Sequence, residues 1–515
     1  MNKYFKAFCL YLATVALIIS ITGCNTDNKK IEDDLFTELD LEPAEITFCF
    51  WGFGADGQPR QQSSINGMLE ELNKKTYESF RTTIKLQWIH YENYDAELIK
   101  LLKSGNGPDA FRTYNVEELN NKGLIKDITN LLPQLAPNYY SQLSESWGEE
   151  MEKYRLDDKI YGVINNDLFP PQYFIIARQD MVDKYSPDGL SSVEDYGRFL
   201  QAIKDKEKDL VPGMAHAFYL LDAYMLGNQY FQANGGGLYF NWNSADLLQI
   251  PIERTEAFLQ AHNLYRQWNE NNLLLSTESR EYGNLVNNGH LVSMLVPGIE
   301  LHQMRDFNIS FKYKAYPLYM DSLYESSRSP VTLGINKNSP NADRVIKFLE
   351  WLHSNQENYD LFHYGIKDRN YKLIGNALDI SGLDYNNVII DWWGNDALRN
   401  FNYERPFPFE PSNYKEFLNT CLNNTFTARE VYKKMGYDLD NATAWTEDEK
   451  NLRIEMGNLI QKRSMIYSEF VDQINAGNFT KTLNDLLKEQ GGDSITDNIM
   501  ERDAKAWEKF KKGVK

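Results

Sequence analysis

The order of its apolar runs constrains this chain most. Glu45–Gly52 (EITFCFWG) is a short, continuous, β-prone run stopped by glycine, the pattern of a buried strand. The residues after it predict a helix toward Phe80, with Met68, Leu69, Leu72 and Tyr77 on roughly one face. Thr83–Tyr91 (TIKLQWIHY) reads as a second strand. YDAELIKLLKSGNGPDAF then reads as a helix ended by Gly105, a turn and a third strand. Strands alternating with helices in this way predict a mainly parallel α/β sheet, because parallel neighbours need a helical crossover. The alternation resumes with QYFIIARQDMV, a strand running into a helix, and with SSVEDYGRFLQAIKDK, a helix with a serine cap. Phe258, Ala261, Tyr265 and Trp268 stripe another helix. In NSPNADRVIKFLEWLHSN, Ser339 is the expected N-cap and Pro340 the first helical residue, with Val345, Phe348, Leu349 and Leu352 inward. About 470 residues follow the first 44, too many for one core, so the chain predicts two or more lobes.

The N-terminus carries an address. Lys3 and Lys6 precede an apolar run, Ala7 to Ile21, shorter than the roughly 20 residues a membrane span needs. It fits a secretory leader. Ile21-Thr22-Gly23-Cys24 resembles the bacterial lipobox, which implies cleavage after residue 23, lipidation of Cys24 and anchoring at the outer face of the cell membrane. Residues 24–44 are polar and read as a tether. Of the remaining cysteines, Cys49 lies in a strand pattern and reads as a buried free thiol, a bridge to Cys421 being the alternative.

Composition removes several function classes. A formal net charge of −19 argues against a nucleic-acid partner, which wants a basic face. The 7 histidines form no H-E-x-x-H pair, and neither a G-x-S-x-G elbow nor a Walker A loop occurs. Asn234–Tyr239 (NGGGLY) lacks dinucleotide-loop spacing and reads as a tight turn. Asp438–Glu449 lacks the glycine a calcium loop needs, and Thr446-x-x-Glu449 reads as a capping box. No cofactor or metal is expected. With 32 Tyr and 10 Trp, the chain is well supplied with rings that grip polar-apolar ligands.

Lipobox, tether, ITFCFWG, IKLQWIHYENYDAELIKLLKSGNGPDAF, KGLIKDITNLLP, DDKIYGVINND, FIIARQDMVDKY and VTLGINKNSPNADRVIKFLEWL occur in this order. The combination resembles the extracellular solute-binding proteins of bacterial ABC importers, the sugar-binding group that includes maltose-binding protein. EWLHSNQENYDLFHYGIKDRNYKLIGN and DWWGNDALRNF look like the LipO-type lipoproteins of that group. The resemblance covers roughly Ile46 to Phe401. It implies a two-lobed α/β periplasmic-binding-protein-like fold (type II), with a ligand cleft between lobes and three hinge crossings, expected near Phe169, Phe311 and Asn355. The lobes would comprise 45–170 plus 311–355 and 171–310 plus 356–515. It implies a carbohydrate ligand, an ABC permease as partner, a monomer, and no catalytic residues.

Ligand crevices in open α/β sheets lie beyond the carboxyl ends of strands. The candidate binding residues are therefore Trp51, Arg112, Thr113 and Tyr114, then Asn165, Asn166, Asp167 and Tyr173 around the first crossing. Trp242, Trp393 (beside Trp392) and Glu300 complete the set. A sugar has one C–H face that lies on an aromatic ring and a rim of hydroxyls that needs Asp, Asn or Arg. Arg112-Thr113-Tyr114 match the family's contact loop by position but lack the aromatic-rich form of maltose-type binders, and Ile299 stands where that family often carries an aromatic. Asp109 is expected to bond backbone rather than ligand. Two other readings stay open: a lipid-anchored glycoside hydrolase, which needs two facing carboxylates, and a surface sensor or peptide-binding lipoprotein without a permease.

Overall fold

The computed structural model describes residues 41–513 except 55–56, 60, 148–154, 157, 166–172, 233–235, 245–247, 277–280, 299–312, 320–322, 326–330, 390–394, 409, 411–415, 417–419, 421–424 and 428–446. The apolar run 7–21, Cys24, residues 25–40 of the expected tether, Cys421 and Thr446 of the expected capping box lie outside the described residues, while Ala44, the last expected tether residue, already belongs to the first strand. The strands of the two larger sheets are, in chain order, β1 (Ala44–Gly52), β2 (Thr82–His90), β3 (Ala110–Thr113), β4 (Val163–Ile164), β5 (Tyr173–Arg178), β6 (Met214–Ala215), β7 (Ser293–Pro297), β8 (Tyr313–Pro317) and β9 (Thr332–Ile335). The helices used below are α1 (Gln62–Phe80), α2 (Tyr94–Ser104), α3 (Val193–Lys206), α4 (Ala217–Gly227), α5 (Glu256–Glu270), α6 (Ala342–Leu352), α7 (Gln356–Tyr364), α8 (Glu447–Asn475), α9 (Leu483–Glu489) and α10 (Gly492–Gly513).

The chain divides into two compact units. The first holds residues up to Asn165, then Val331–Gly365 and Trp392–Leu398; the second holds Asn166–Pro330, Ile366–Asp391 and Arg399–Lys515.

In the first unit the strand order is β2-β1-β3-β9-β4. β1 pairs in parallel with both β2 and β3, as helical crossovers α1 and α2 require. β9 is antiparallel to β3 and β4, so the sheet is mixed rather than parallel throughout. Ile46, Phe48, Cys49 and Phe50 of β1 are fully buried, which explains the unbroken apolar run: a central strand covered on both faces needs no polar alternation. Phe48 meets Phe348 of α6 with ring centroids 5.2 Å apart. Each such fully buried ring contributes about 1.5–3 kcal/mol. Met68 and Leu72 of α1 face this core, but Tyr77 is exposed and lies under the Arg81 guanidinium. Helix α6 starts two residues later than the sequence suggests. Ser339 Oγ accepts from the Asn341 amide and donates to Asp109 Oδ1, so it shapes a turn before the helix rather than capping it. Asp109 Oδ2 accepts from the Thr47 amide at 2.9 Å, tying the β3 turn to β1.

The second unit has a four-stranded sheet, order β8-β5-β7-β6. The chain passes back to the first unit at Pro330/Val331 rather than near Phe311. The reason is β8, which pairs antiparallel with β5 from Tyr313↔Arg178 to Pro317↔Phe174 and therefore belongs to this sheet. The next passage falls at Gly365/Ile366, because α7, whose Phe362 rings against Phe348, stays with the first core instead of leaving near Asn355. A further short return, Trp392–Leu398, adds to the three crossings expected. Helix α3 is capped by Ser192, whose side chain accepts from the Asp195 amide. The Phe258, Ala261, Tyr265 and Trp268 stripe of α5 is buried in one large cluster with Phe470, Ile474 and Leu486 from the C-terminal helices. The turn through Gly236 and Gly237 enters the strand Leu238–Asn241, as the NGGGLY run suggests.

Candidate functional site

Three strands of the first unit end side by side, and their carboxyl ends carry a ring cluster. β1 reaches Trp51 and Gly52 opposite Ile89 and His90 of β2. The chain leaving β1 folds tightly back: a Cβ on Gly52 would sit 2.0 Å from the Gly57 carbonyl oxygen. Gly57, at φ +73°, has room only for hydrogen, since a Cβ there would lie 2.6 Å from the His90 nitrogen. This turn projects Phe53 beside Tyr91, which follows β2. Their centroids are 4.6 Å apart, and Trp51 lies 5.2 Å from Phe53 in an edge-on arrangement. Tyr114 follows β3. Phe53, Tyr91 and Tyr114 are 47%, 43% and 55% exposed, an unusual solvent share for three large rings in one patch.

Arg112, on β3, is the centre of the patch but is only 4% exposed. Its guanidinium lies 4.7 Å from the Trp51 ring centroid and 4.4 Å from the Tyr114 ring centroid, within cation–π range of both. Nε and Nη2 donate to the two carboxylate oxygens of Asp396, both at 2.8 Å, the forked geometry that suits a guanidinium. Nη2 also donates to the Tyr114 hydroxyl at 2.7 Å. Burial pulls the Arg112 pKa down, but the Asp396 carboxylate outweighs it and holds it above the ordinary value. Beneath, Tyr94 donates its hydroxyl to the carbonyls of Cys49 and Arg112, pinning β1 to β3. Cys49 is a free, buried thiol whose pKa burial pushes up to about 12, against a lowering bond from Tyr94.

The other expected site residues fall elsewhere. Thr113 is buried and its hydroxyl accepts from the Asn115 amide, so it shapes the turn rather than facing solvent. Asn165 is buried at the end of the first unit, its amide bonded to the Val331 carbonyl. Asn166, Asp167, Glu300, Trp392 and Trp393 lie outside the described residues. In the second unit Tyr173 is buried and donates to Asp222 Oδ2 at 2.7 Å, while Tyr239 donates to Oδ1 of the same carboxylate. Burial raises the Asp222 pKa against these two lowering bonds. Tyr173 is therefore part of a buried hydrogen-bonded group. Trp242 is half-buried at the edge of the main cluster of that unit. Among the described residues no group of three His, Cys, Asp or Glu side chains is placed to hold a metal ion, and no helix is long and apolar enough to cross a membrane.

Residues 57–359 match the family model described as bacterial extracellular solute-binding protein. That span is more than half of the sequence. The chain belongs to this family. Among solved structures, the N-glycan transport solute binding protein (NgtS) from Streptococcus pneumoniae is similar with a TM-score of 0.62 at 16% identity, over 92% of this chain and 100% of that one. The same protein in complex with Man5GlcNAc gives a TM-score of 0.55 at 17% identity, over 92% and 100%. An extracellular solute-binding protein from Bifidobacterium longum subsp. infantis gives 0.54 at 13% identity, over 91% and 98%. At these identities the likeness establishes a shared two-lobed fold. A search of curated proteins returned no match.

The structure brings the sequence candidates Trp51, Arg112 and Tyr114 together with Phe53, Tyr91 and Asp396, which sequence reasoning did not single out. Phe53 and Tyr91 sit just past strand ends, beside glycine and before a turn, and that position was the available signal. Asp396 had none, being 284 residues from its partner.

Proposed function

We propose that this chain is the substrate-binding component of an ABC importer and that its ligand is a carbohydrate, an oligosaccharide rather than a single sugar. The observation that carries this reading is the set of rings at the ends of β1, β2 and β3: Trp51, Phe53, Tyr91 and Tyr114 around the paired Arg112 and Asp396. The exposed Phe53 and Tyr91 and the half-buried Trp51, with centroids 4.6–6.3 Å apart, offer more platform than one sugar ring covers, which favours a chain of sugars. Neighbours of the same fold that hold Man1GlcNAc and Man5GlcNAc support the ligand class. Closure of the lobes over the glycan would then select the form a permease accepts, through differential affinity for that form. The ring patch is a binding surface, and the reading includes no bond cleavage. The Cys24 lipobox supports anchoring at the outer face of the cell membrane, with the tether holding the folded part off the bilayer.

The test is calorimetric titration of the protein lacking residues 1–24 with high-mannose, milk-type and malto-oligosaccharides, and with peptides as competitors. Saturable binding of one glycan class, with the glycan recovered intact, supports the reading. Binding of peptides alone, or release of shorter glycans, overturns it. Replacing Trp51 or Tyr114 by Ala is expected to weaken glycan binding by at least tenfold, as loss of a stacked ring does.

A further inference from the structure

Resting on the carbohydrate reading, we infer that Asp396 sets the charge preference of the ring patch, making it a site for neutral sugars that rejects acidic ones. The argument begins with donor geometry. A guanidinium beside aromatic rings in a sugar site is the obvious seat for a uronate or sialate carboxylate, which it would hold by a forked pair of hydrogen bonds. Here that fork is already filled. Asp396 takes Nε and Nη2 at 2.8 Å each, Tyr114 takes the second Nη2 hydrogen at 2.7 Å, and the Trp51 and Tyr114 rings lie 4.7 and 4.4 Å from the guanidinium carbon. The carboxylate is fixed in turn: Asp396 Oδ1 accepts from the Ala397 amide at 3.0 Å, and the carbonyl of Leu398, two residues on, lies 3.0 Å from His353 Nε2. The pair thus presents rings without net charge. An acidic sugar on those rings would meet an Arg112 already neutralised and the Asp396 carboxylate, 24% exposed, which repels it. A neutral sugar meets neither penalty. Asp396 thus acts through Arg112 as a specificity-determining residue.

Asp396→Asn is isosteric and keeps an acceptor for Nε, but it leaves the positive charge of Arg112 uncompensated. The experiment is an array of neutral glycans and of their sialylated and uronic-acid-bearing counterparts, probed with wild-type protein, Asp396→Asn and Asp396→Asn/Arg112→Gln. Wild-type protein is expected to bind neutral members and to bind acidic counterparts at least tenfold more weakly. Asp396→Asn is expected to shift the ratio of acidic to neutral binding tenfold or more toward the acidic members. Arg112→Gln in the double variant should erase that shift. Circular dichroism and the thermal unfolding midpoint report that the variant is folded. If wild-type protein binds neutral and acidic members equally, or if a folded Asp396→Asn variant shows no such shift, the inference is overturned while the carbohydrate reading stands. If wild-type protein binds no glycan at all, the carbohydrate reading itself fails and takes the inference with it.

Discussion

The C-terminal helices are held to the second unit by a buried ion pair, which yields a quantitative prediction. Arg463 on α8 is wholly buried, and Nη2 donates to Glu253 Oε2 at 2.5 Å. Nη1 donates to the Thr496 hydroxyl of α10, which donates onward to the Gly492 carbonyl at 2.8 Å. The side chains of Arg463 and Glu253 are 1% and 3% exposed, so solvent screens the pair very little. Glu253→Gln conserves volume and one acceptor but strips the compensating charge from a guanidinium that cannot deprotonate. Breaking a buried pair from one side costs about 3–5 kcal/mol, and the retained hydrogen bond places this variant near the lower end, about 3 kcal/mol. Glu253→Leu combined with Arg463→Met removes both charges and their desolvation penalty together. It is expected within about 1 kcal/mol of wild type, or more stable. Urea unfolding gives the global values, and hydrogen exchange of α8 amides shows whether the loss begins at these helices. The reasoning is refuted if Glu253→Gln costs less than about 1 kcal/mol, which would mean that water reaches the guanidinium. It is equally refuted if the double variant is as unstable as the single one, because packing rather than charge would then explain the loss.

Three further outcomes follow from the geometry. Asp222 has its pKa raised by burial, so it contributes most to stability at low pH and progressively less as pH rises through its folded value; the melting temperature of Asp222→Asn relative to wild type should therefore climb with pH above 4, and a flat or falling difference counts against this. Gly57→Ala forces a Cβ to 2.6 Å from the His90 nitrogen and should displace Phe53, costing at least tenfold in glycan affinity by titration, whereas Gly105→Ala, at φ +78° with nothing within 4 Å, should cost stability and leave affinity intact. Cys49, with its pKa pushed up to about 12, should resist a thiol reagent at pH 8 in folded protein lacking residues 1–24 and carrying Cys421→Ser, then react stoichiometrically in denaturant; rapid labelling of the folded form would contradict its burial.

What the sequence made legible is local or repeated within one element. The apolar run of β1, the glycine stop of α2 at Gly105 and the four-residue stripe of α5 each encode their own burial, because helix and strand periods convert spacing into a face. Sequence-adjacent chemistry misled at Ser339, where a competing partner, Asp109, came from another strand. It misled at Tyr77 too, since a helix face is only as wide as the neighbour that covers it. Boundaries between units were less legible still. Whether residues 313–317 join the first sheet or the second depends on which edge strand is free to accept them, and that edge is supplied by β5 more than 130 residues earlier.

The site shows the same division more sharply. Position after a strand end is a one-dimensional signal with a three-dimensional meaning, so Trp51 and Tyr114 could be named from sequence, and Phe53 and Tyr91 lie where the same rule would have found them. The chemical character of the patch could not be read this way. An arginine at the end of a strand in a sugar-binding chain suggests an anion site. The opposite conclusion follows only when Asp396, from a seven-residue return of the chain, is placed against the Nε/Nη2 fork of that arginine. The family resemblance fixes the scaffold, and the strand ends fix where the rings gather. On the carbohydrate reading proposed above, the choice between a charged and an uncharged sugar would rest on one long-range pair, which a single isosteric substitution at Asp396 tests.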